Sequence, residues 1–128
     1  MIDDKFSILI TKRDVQEYAN SVDEKEGIYF SEEEAKQHGF ASIPLPPSMP
    51  FLFLKPKEGL FHGVVHRTQA FDYKQPLYID TSYICEYTFK EVKRRHGYIF
   101  YEQKLTIFNE KGNQVATCSS TLIKGERE

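Results

Sequence analysis

The run Ile43-Pro44-Leu45-Pro46-Pro47-Ser48-Met49-Pro50-Phe51-Leu52-Phe53-Leu54 constrains this chain more than any other stretch. Its first half is extended backbone, because each proline fixes its own φ and pushes the preceding residue out of the helical region. At Ser48 the pattern changes. A serine is a good N-cap, and Pro50 is tolerated in a first helical turn because its missing N–H would be unpaired there anyway. A short helix over residues 49–55 follows, stopped by Pro56, and it is apolar on every side. Such a helix has no face to give to water, so other elements must wrap it.

Strands are what the rest of the chain offers for that purpose. Residues 61–73 hold one extended run, which Pro76 ends. Tyr83, Cys85, Tyr87 and Phe89 then alternate with Glu86, Thr88 and Lys90, the period of two expected of a half-buried strand. Arg95-His96-Gly97 turns the chain, and Ile99, Tyr101, Leu105 and Ile107 mark the next strand. Asn109-Glu110-Lys111-Gly112-Asn113 forms a hairpin loop, and residues 115–123 a third strand.

Ahead of the apolar segment, Phe6 to Ile10 suit a short strand. Thr11 offers a hydroxyl to the free N–H groups of a helix over residues 12–21, with Asp14 at its positive end. Val15, Tyr18, Ala19 and Val22 fall on one buried face of that helix. Ser31-Glu32-Glu33-Glu34 is a capping box with both arms expected, the serine accepting from the third N–H and Glu34 reaching back. Gly39 ends this second helix in a left-handed conformation. Residues 23–30 form the loop between the two helices.

An apolar helix followed by long antiparallel strands is buried when the sheet curls around it, which is the hotdog fold, an α+β architecture. An α+β sandwich with the helices on one face has the same element order. The 128 residues fit one domain, 1–128, with 40% hydrophobic and 14% aromatic residues, enough for a packed core. The open sheet edges call for a second chain paired edge to edge, hence a dimer.

Charge and cysteine content narrow the function classes. A net charge of -2 argues against nucleic acid as a partner, since a duplex binder needs a concentrated basic surface. The one basic cluster, Lys93-Arg94-Arg95, reads as a solvated loop tip. Cys85 and Cys118 lie in apolar alternating runs and read as buried thiols of a reduced compartment, with no disulfide. Asp3 and Asp4 stand where a signal peptide would be basic, and no apolar run reaches membrane-spanning length, so a soluble cytoplasmic protein with no membrane partner is expected. His62 and His66 are four residues apart without a carboxylate or cysteine in register, so neither a metal site nor any cofactor is expected.

The stretch 18–40 carries a family resemblance. Tyr18, Ser21, Asp23, Ala35 and Phe40 match the pattern of the MaoC-like (R)-specific enoyl-CoA hydratases and 3-hydroxyacyl dehydratases. That pattern runs aromatic, Ser/Thr-Gly-Asp, a short spacer, a His, an Asp two residues on, then an Ala and a Phe. Here Val22 replaces the Gly, Tyr29 stands at the His and Ser31 at the second Asp, and the spacing from Asp23 to Tyr29 is one residue longer. Phe40 to Met49, and the run from His66 through Tyr73-Lys74-Gln75-Pro76-Leu77, resemble the FAS1-like dehydratase N-terminal branch of that family.

The resemblance implies binding of an acyl thioester, carried on coenzyme A or an acyl carrier protein, and hydratase or dehydratase chemistry. In active members an Asp and a His share the acid and base roles, and backbone donors at the start of the central helix hold the thioester oxygen. By that implication Asp23 and Tyr29 occupy the catalytic positions, while Pro47, Ser48, Met49, Phe51 and His66 bind substrate. A tyrosine with a reference pKa of about 10 is a poor base at neutral pH. The branch includes substrate-binding subunits that pair with a catalytic partner, so this chain is expected to be one of these, in a heterodimer with a catalytic hotdog subunit. A competent homodimeric hydratase using Asp23, a hotdog thioesterase and a non-catalytic acyl-binding module stand as alternatives. Thioesterases of this fold place a carboxylate at the central helix, and residues 48–55 contain none. With the resemblance set aside, Asp23 is a helix-end or solvated carboxylate and Tyr29 a core aromatic.

Overall fold

The computed structural model describes residues 4–50 and 64–125, with the backbone alone for 64–67. Five strands, β1 (Asp4–Leu9), β2 (Val64–Tyr73), β3 (Ser82–Arg95), β4 (Tyr98–Phe108) and β5 (Gln114–Gly125), form one antiparallel sheet in the order β1-β3-β4-β5-β2. Helices α1 (Lys12–Ser21) and α2 (Glu32–Gln37) precede β2, with a one-turn 3₁₀ helix, Gly27–Tyr29, between them. The expected central helix begins with a turn at Met49 and Pro50 and beyond that lies outside the described residues.

Helix α1 has the predicted bounds because its start is doubly capped. Thr11 Oγ1 accepts from the Asp14 N–H at 3.2 Å, and the Asp14 carboxylate accepts from the Thr11 N–H at 3.0 Å. Val15 and Ala19 are fully buried, but Val22 is 53% exposed, contrary to its expected place on the apolar face. The helix ends at Ser21, and the turn that follows carries Val22 off the stripe. At α2 only one arm of the expected capping box forms. Ser31 Oγ accepts from the Glu34 N–H at 3.3 Å, while the Ser31 N–H donates to the Gly27 carbonyl at 2.9 Å and has nothing left for Glu34. Gly39, at φ 92, ends α2 as expected: its N–H donates to Lys36 O and that of Phe40 to Ala35 O, a complete Schellman motif.

The alternation read from the sequence produces two sheet faces. On the inner face Cys85, Ile107, Ala116 and Tyr73 stand in one cross-strand row, and Tyr87, Leu105, Cys118 and Phe71 in the next. Val15, Tyr29, Ala35, Ile43, Leu45 and Met49 pack against these rows to complete the core. One buried polar chain interrupts the apolar face: the Tyr87 hydroxyl donates to Gln103 Oε1 at 2.8 Å, and Gln103 Nε2 donates to Ser120 Oγ at 2.7 Å. Cys85 and Cys118 are free. Strand β4 lies between them, so two strand spacings of about 4.8 Å hold them beyond disulfide reach.

The basic cluster sits on a strand rather than a loop tip. His96 and Gly97, at φ 53 and 83, suffice for a two-residue turn, so Lys93, Arg94 and Arg95 remain paired in β3. A bulge between Glu91 and Lys93 leaves Val92 as the extra residue, 52% exposed.

The proline-rich lead-in is held in place by its own short ladder. The Leu45 N–H donates to Leu77 O at 2.7 Å, the Ile79 N–H to Ile43 O at 3.2 Å, and Pro44 bridges Tyr78 between them. This pairing fixes Pro44 to Pro47 beside the end of β2.

Candidate functional site

Where the lead-in, β2 and the 3₁₀ helix meet, a cleft of about 370 Å3 opens, within the range of small-molecule sites. Tyr29, Phe40, Leu45 and Tyr73 give it an aromatic and aliphatic wall, completed by Pro44, Pro47, Pro76 and Leu77. Lys74 and Gln75 form its polar side. Each wall has a local cause. Tyr29 is aimed inward by the 3₁₀ turn, whose Tyr29 N–H donates to Glu26 O at 3.2 Å. Phe40 is delivered by the Schellman turn after α2, and Tyr73 by the last inward-facing position of β2.

Tyr29 is 8% exposed. Burial raises its hydroxyl pKa above the ordinary tyrosine value, and the charges of Glu24 and Glu26 push the same way. Burial also raises Tyr73, with smaller contributions from Cys118, Tyr18 and Tyr29. The Tyr73 hydroxyl donates to the Pro47 carbonyl. Both phenols therefore stay protonated at neutral pH.

Asp23 does not join this cleft. It occupies the left-handed region at φ 60 and ends α1, with its N–H on Asn20 O at 3.2 Å and that of Glu24 on Ala19 O at 2.7 Å. That is a second Schellman motif with an aspartate in the glycine position. Its side chain is 86% exposed, and its carboxylate lies 3.4 Å from Lys25 Nζ. Asp23 and Tyr29 thus face different surroundings, one in water and one in the wall. Ser31, which the resemblance places at the family's second Asp, spends its hydroxyl on capping α2.

Of the expected substrate-binding residues, Pro47 lines the cleft and Met49 is a core residue, 3% exposed. Ser48 Oγ and the Tyr18 hydroxyl are 2.6 Å apart. The Met49 N–H donates to Pro46 O at 2.9 Å, so it is spent on the turn. Phe51 lies outside the described residues. The backbone of His66 pairs opposite Leu122 beside a bulge, and its side chain too lies outside them. Reading the sequence did not single out Tyr73 as a wall residue. The signal available for Tyr73 was its two-residue spacing from Phe71, which puts both aromatics on one face of β2, stacked at 6.5 Å.

The family described as FAS1-like, dehydratase domain region, matches residues 2–118. The chain belongs to this family. The UPF0336 protein of Thermobifida fusca (strain YX) is 23% identical over 124 residues, covering 89% of this chain and 82% of that protein. Among solved structures, the C-terminally truncated HadBC (3R-hydroxyacyl-ACP dehydratase) complex from Mycobacterium tuberculosis superposes with a TM-score of 0.81 at 21% identity, over 94% of this chain and 90% of that one. The (R)-hydratase from A. caviae involved in PHA biosynthesis gives 0.72 at 14% identity, over 97% and 96%. This chain therefore has the hotdog fold of the MaoC-like proteins, as the residues in 18–40 and the alternating strands implied. Among the described residues no helix is long and apolar enough to cross a membrane.

Proposed function

We propose that this FAS1-like dehydratase chain is the substrate-binding subunit of a MaoC-like 3-hydroxyacyl hydratase/dehydratase and takes its acid–base pair from a partner hotdog chain. The observation that carries this reading is the lining of the cleft. Among the described residues it includes neither a carboxylate nor an imidazole, and the resemblance places Tyr29 at the family's His position.

Adding water across a double bond conjugated to a thioester needs one group to take a proton from water and another to deliver one to the α-carbon. Tyr29, its pKa raised by burial, holds its proton at neutral pH, and Asp23 is turned to solvent. What the cleft does offer is an apolar wall for an acyl chain and the Lys74 and Gln75 side for the polar arm of coenzyme A or an acyl carrier protein. The sheet ends in β1 and β2, each with an outer edge that a second hotdog chain would pair. The similarity to a structure described as a HadBC complex supports a partner of the same fold. The two free, buried cysteines fit the cytoplasm.

The test compares turnover of short and medium trans-2-enoyl thioesters by the purified chain with turnover by the chain co-purified with a hotdog partner bearing an intact Asp and His. We expect binding without turnover in the first case and turnover in the second. Robust hydration by the chain alone that collapses in Asp23→Asn would establish a self-sufficient homodimeric enzyme instead. Release of free thiol without hydration would make it a thioesterase.

A further inference from the structure

Tyr29 carries a donor without an acceptor. It is 8% exposed and lines the cleft, and among the described residues its hydroxyl has no hydrogen-bond partner. Leaving a buried polar group unpaired costs stability, so folded chains keep few of them. No unpaired side-chain oxygen or nitrogen among the described residues is sealed from solvent, so this hydroxyl keeps an opening, and the cleft supplies it. Lys74 and Gln75, on the polar side of the cleft, are exposed and have water to bond.

Tyr73 is the complement of Tyr29. Its hydroxyl spends its proton on the Pro47 carbonyl, which leaves the Tyr73 oxygen able only to accept. Both side chains line the cleft, and the charge of Tyr29 is among the influences that raise the Tyr73 pKa, so the two hydroxyls share one neighbourhood. One offers a proton and the other a lone pair. An alcohol satisfies both, a carbonyl oxygen only the first, and a methylene neither.

We propose that Tyr29 and Tyr73 form a recognition pair for an alcohol on the acyl chain, the ligand oxygen accepting from Tyr29 and the ligand O–H donating to the Tyr73 oxygen. This rests on the acyl-thioester reading above and names the form of the ligand that the cleft selects. Water added across a double bond conjugated to a thioester, with the proton delivered to the α-carbon, leaves its hydroxyl on the β-carbon. The selected form is therefore the 3-hydroxyacyl thioester, in preference to chains without that hydroxyl. Both members are held before the ligand arrives, Tyr29 by its 3₁₀ turn and Tyr73 by its stacking on Phe71 and its bond to Pro47. A chain without an oxygen at that point leaves the Tyr29 hydroxyl unpaired, which is how a polar site rejects an apolar analogue.

The experiment is calorimetric titration of the full chain with (R)-3-hydroxyoctanoyl-CoA, 3-oxooctanoyl-CoA and octanoyl-CoA, with thermal unfolding of the ligand-free chain alongside. Wild type should bind the 3-hydroxyacyl ester about three- to tenfold more tightly than octanoyl-CoA, the worth of one net hydrogen bond, and the 3-oxoacyl ester should fall between them. Tyr29→Phe should erase that preference by weakening the 3-hydroxyacyl ester alone. Its ligand-free Tm should be unchanged or higher, because the free chain loses no bond. A lower Tm, or a variant that does not fold, would show that the hydroxyl has a structural partner. Equal binding of the three esters by wild type, or parallel weakening of all three in Tyr29→Phe, would mean that the ring only shapes the wall. A 3-oxoacyl ester bound as tightly as the 3-hydroxyacyl ester would remove Tyr73 from the pair. Each of these results overturns the proposal. If the wild-type chain binds none of the esters, the acyl-thioester reading itself fails and this inference with it.

Discussion

Replacing Asp23 separates a structural from a catalytic role at the position where the resemblance places an acid–base residue. At φ 60 Asp23 is the left-handed terminator of α1. A left-handed L-residue costs about 1–2 kcal/mol, which glycine does not incur. Glycine also gains unfolded-state freedom, which takes back about 0.4–1 kcal/mol. The lost ion pair to Lys25 joins side chains 86% and 82% exposed and contributes little. Asp23→Gly should therefore be about 1 kcal/mol more stable than Asp23→Ala, or about 3–5 °C in Tm for a chain of this length. Aspartate tolerates the left-handed region better than alanine, so wild type should fall between the two. The assay is thermal and urea unfolding followed by circular dichroism at one fixed protein concentration, since dimerisation would otherwise shift the midpoint. Both variants should bind octanoyl-CoA like wild type. An alanine variant as stable as the glycine variant would refute the helix-terminating role, and loss of ligand binding in Asp23→Gly would return Asp23 to the site.

Two further outcomes follow from the core. Tyr29, Tyr73, Tyr83 and Cys118 all have pKa values raised by burial, Cys118 to about 11. The unfolded chain loses these protons first as pH rises past the thiol and phenol values of about 9–10, so it binds fewer protons than the native state and stability falls. Urea midpoints should stay level from these groups between pH 6 and 8 and decline from pH 9 to 11; a midpoint that rises over that alkaline range would contradict it. Ser120→Ala removes the acceptor of Gln103 Nε2 at a residue only 1% exposed, and should cost about 1–3 kcal/mol. Gln103→Leu combined with Ser120→Ala should cost less than the sum of the two single changes, and strict additivity in the double-mutant cycle would show that the bond contributes nothing.

Local rules made much of the candidate site legible. Thr11 with Asp14, Ser31, Gly39 and the His96-Gly97 turn act through bonds within a few residues, and the helices and hairpin ends fall where those residues put them. Spacing also separated the inner face of β3 and β4 from the outer one, because a period of two needs no knowledge of the partner strand. Glu34 shows where local rules stop. Its expected backward arm depends on a free Ser31 N–H, and the preceding 3₁₀ helix takes that group. The basic cluster is a similar case, since the turn proved only two residues long.

By itself, then, the sequence determined the elements and the alternation of the strands, left the hotdog fold and an α+β sandwich both open by element order, and carried the resemblance that places a tyrosine at the family's His position. Only the tertiary structure decided where those motif residues point. Asp23 and Tyr29 are six positions apart, and a left-handed residue followed by a 3₁₀ turn sends the first into water and the second into the wall. It also decided the hydrogen-bond partners of Pro47 and Ser48, which come from Tyr73 and Tyr18, 26 and 30 residues away. Side-chain direction after a turn and hydrogen bonds across such separations depend on how the elements dock, and neither leaves a period or a spacing in the chain.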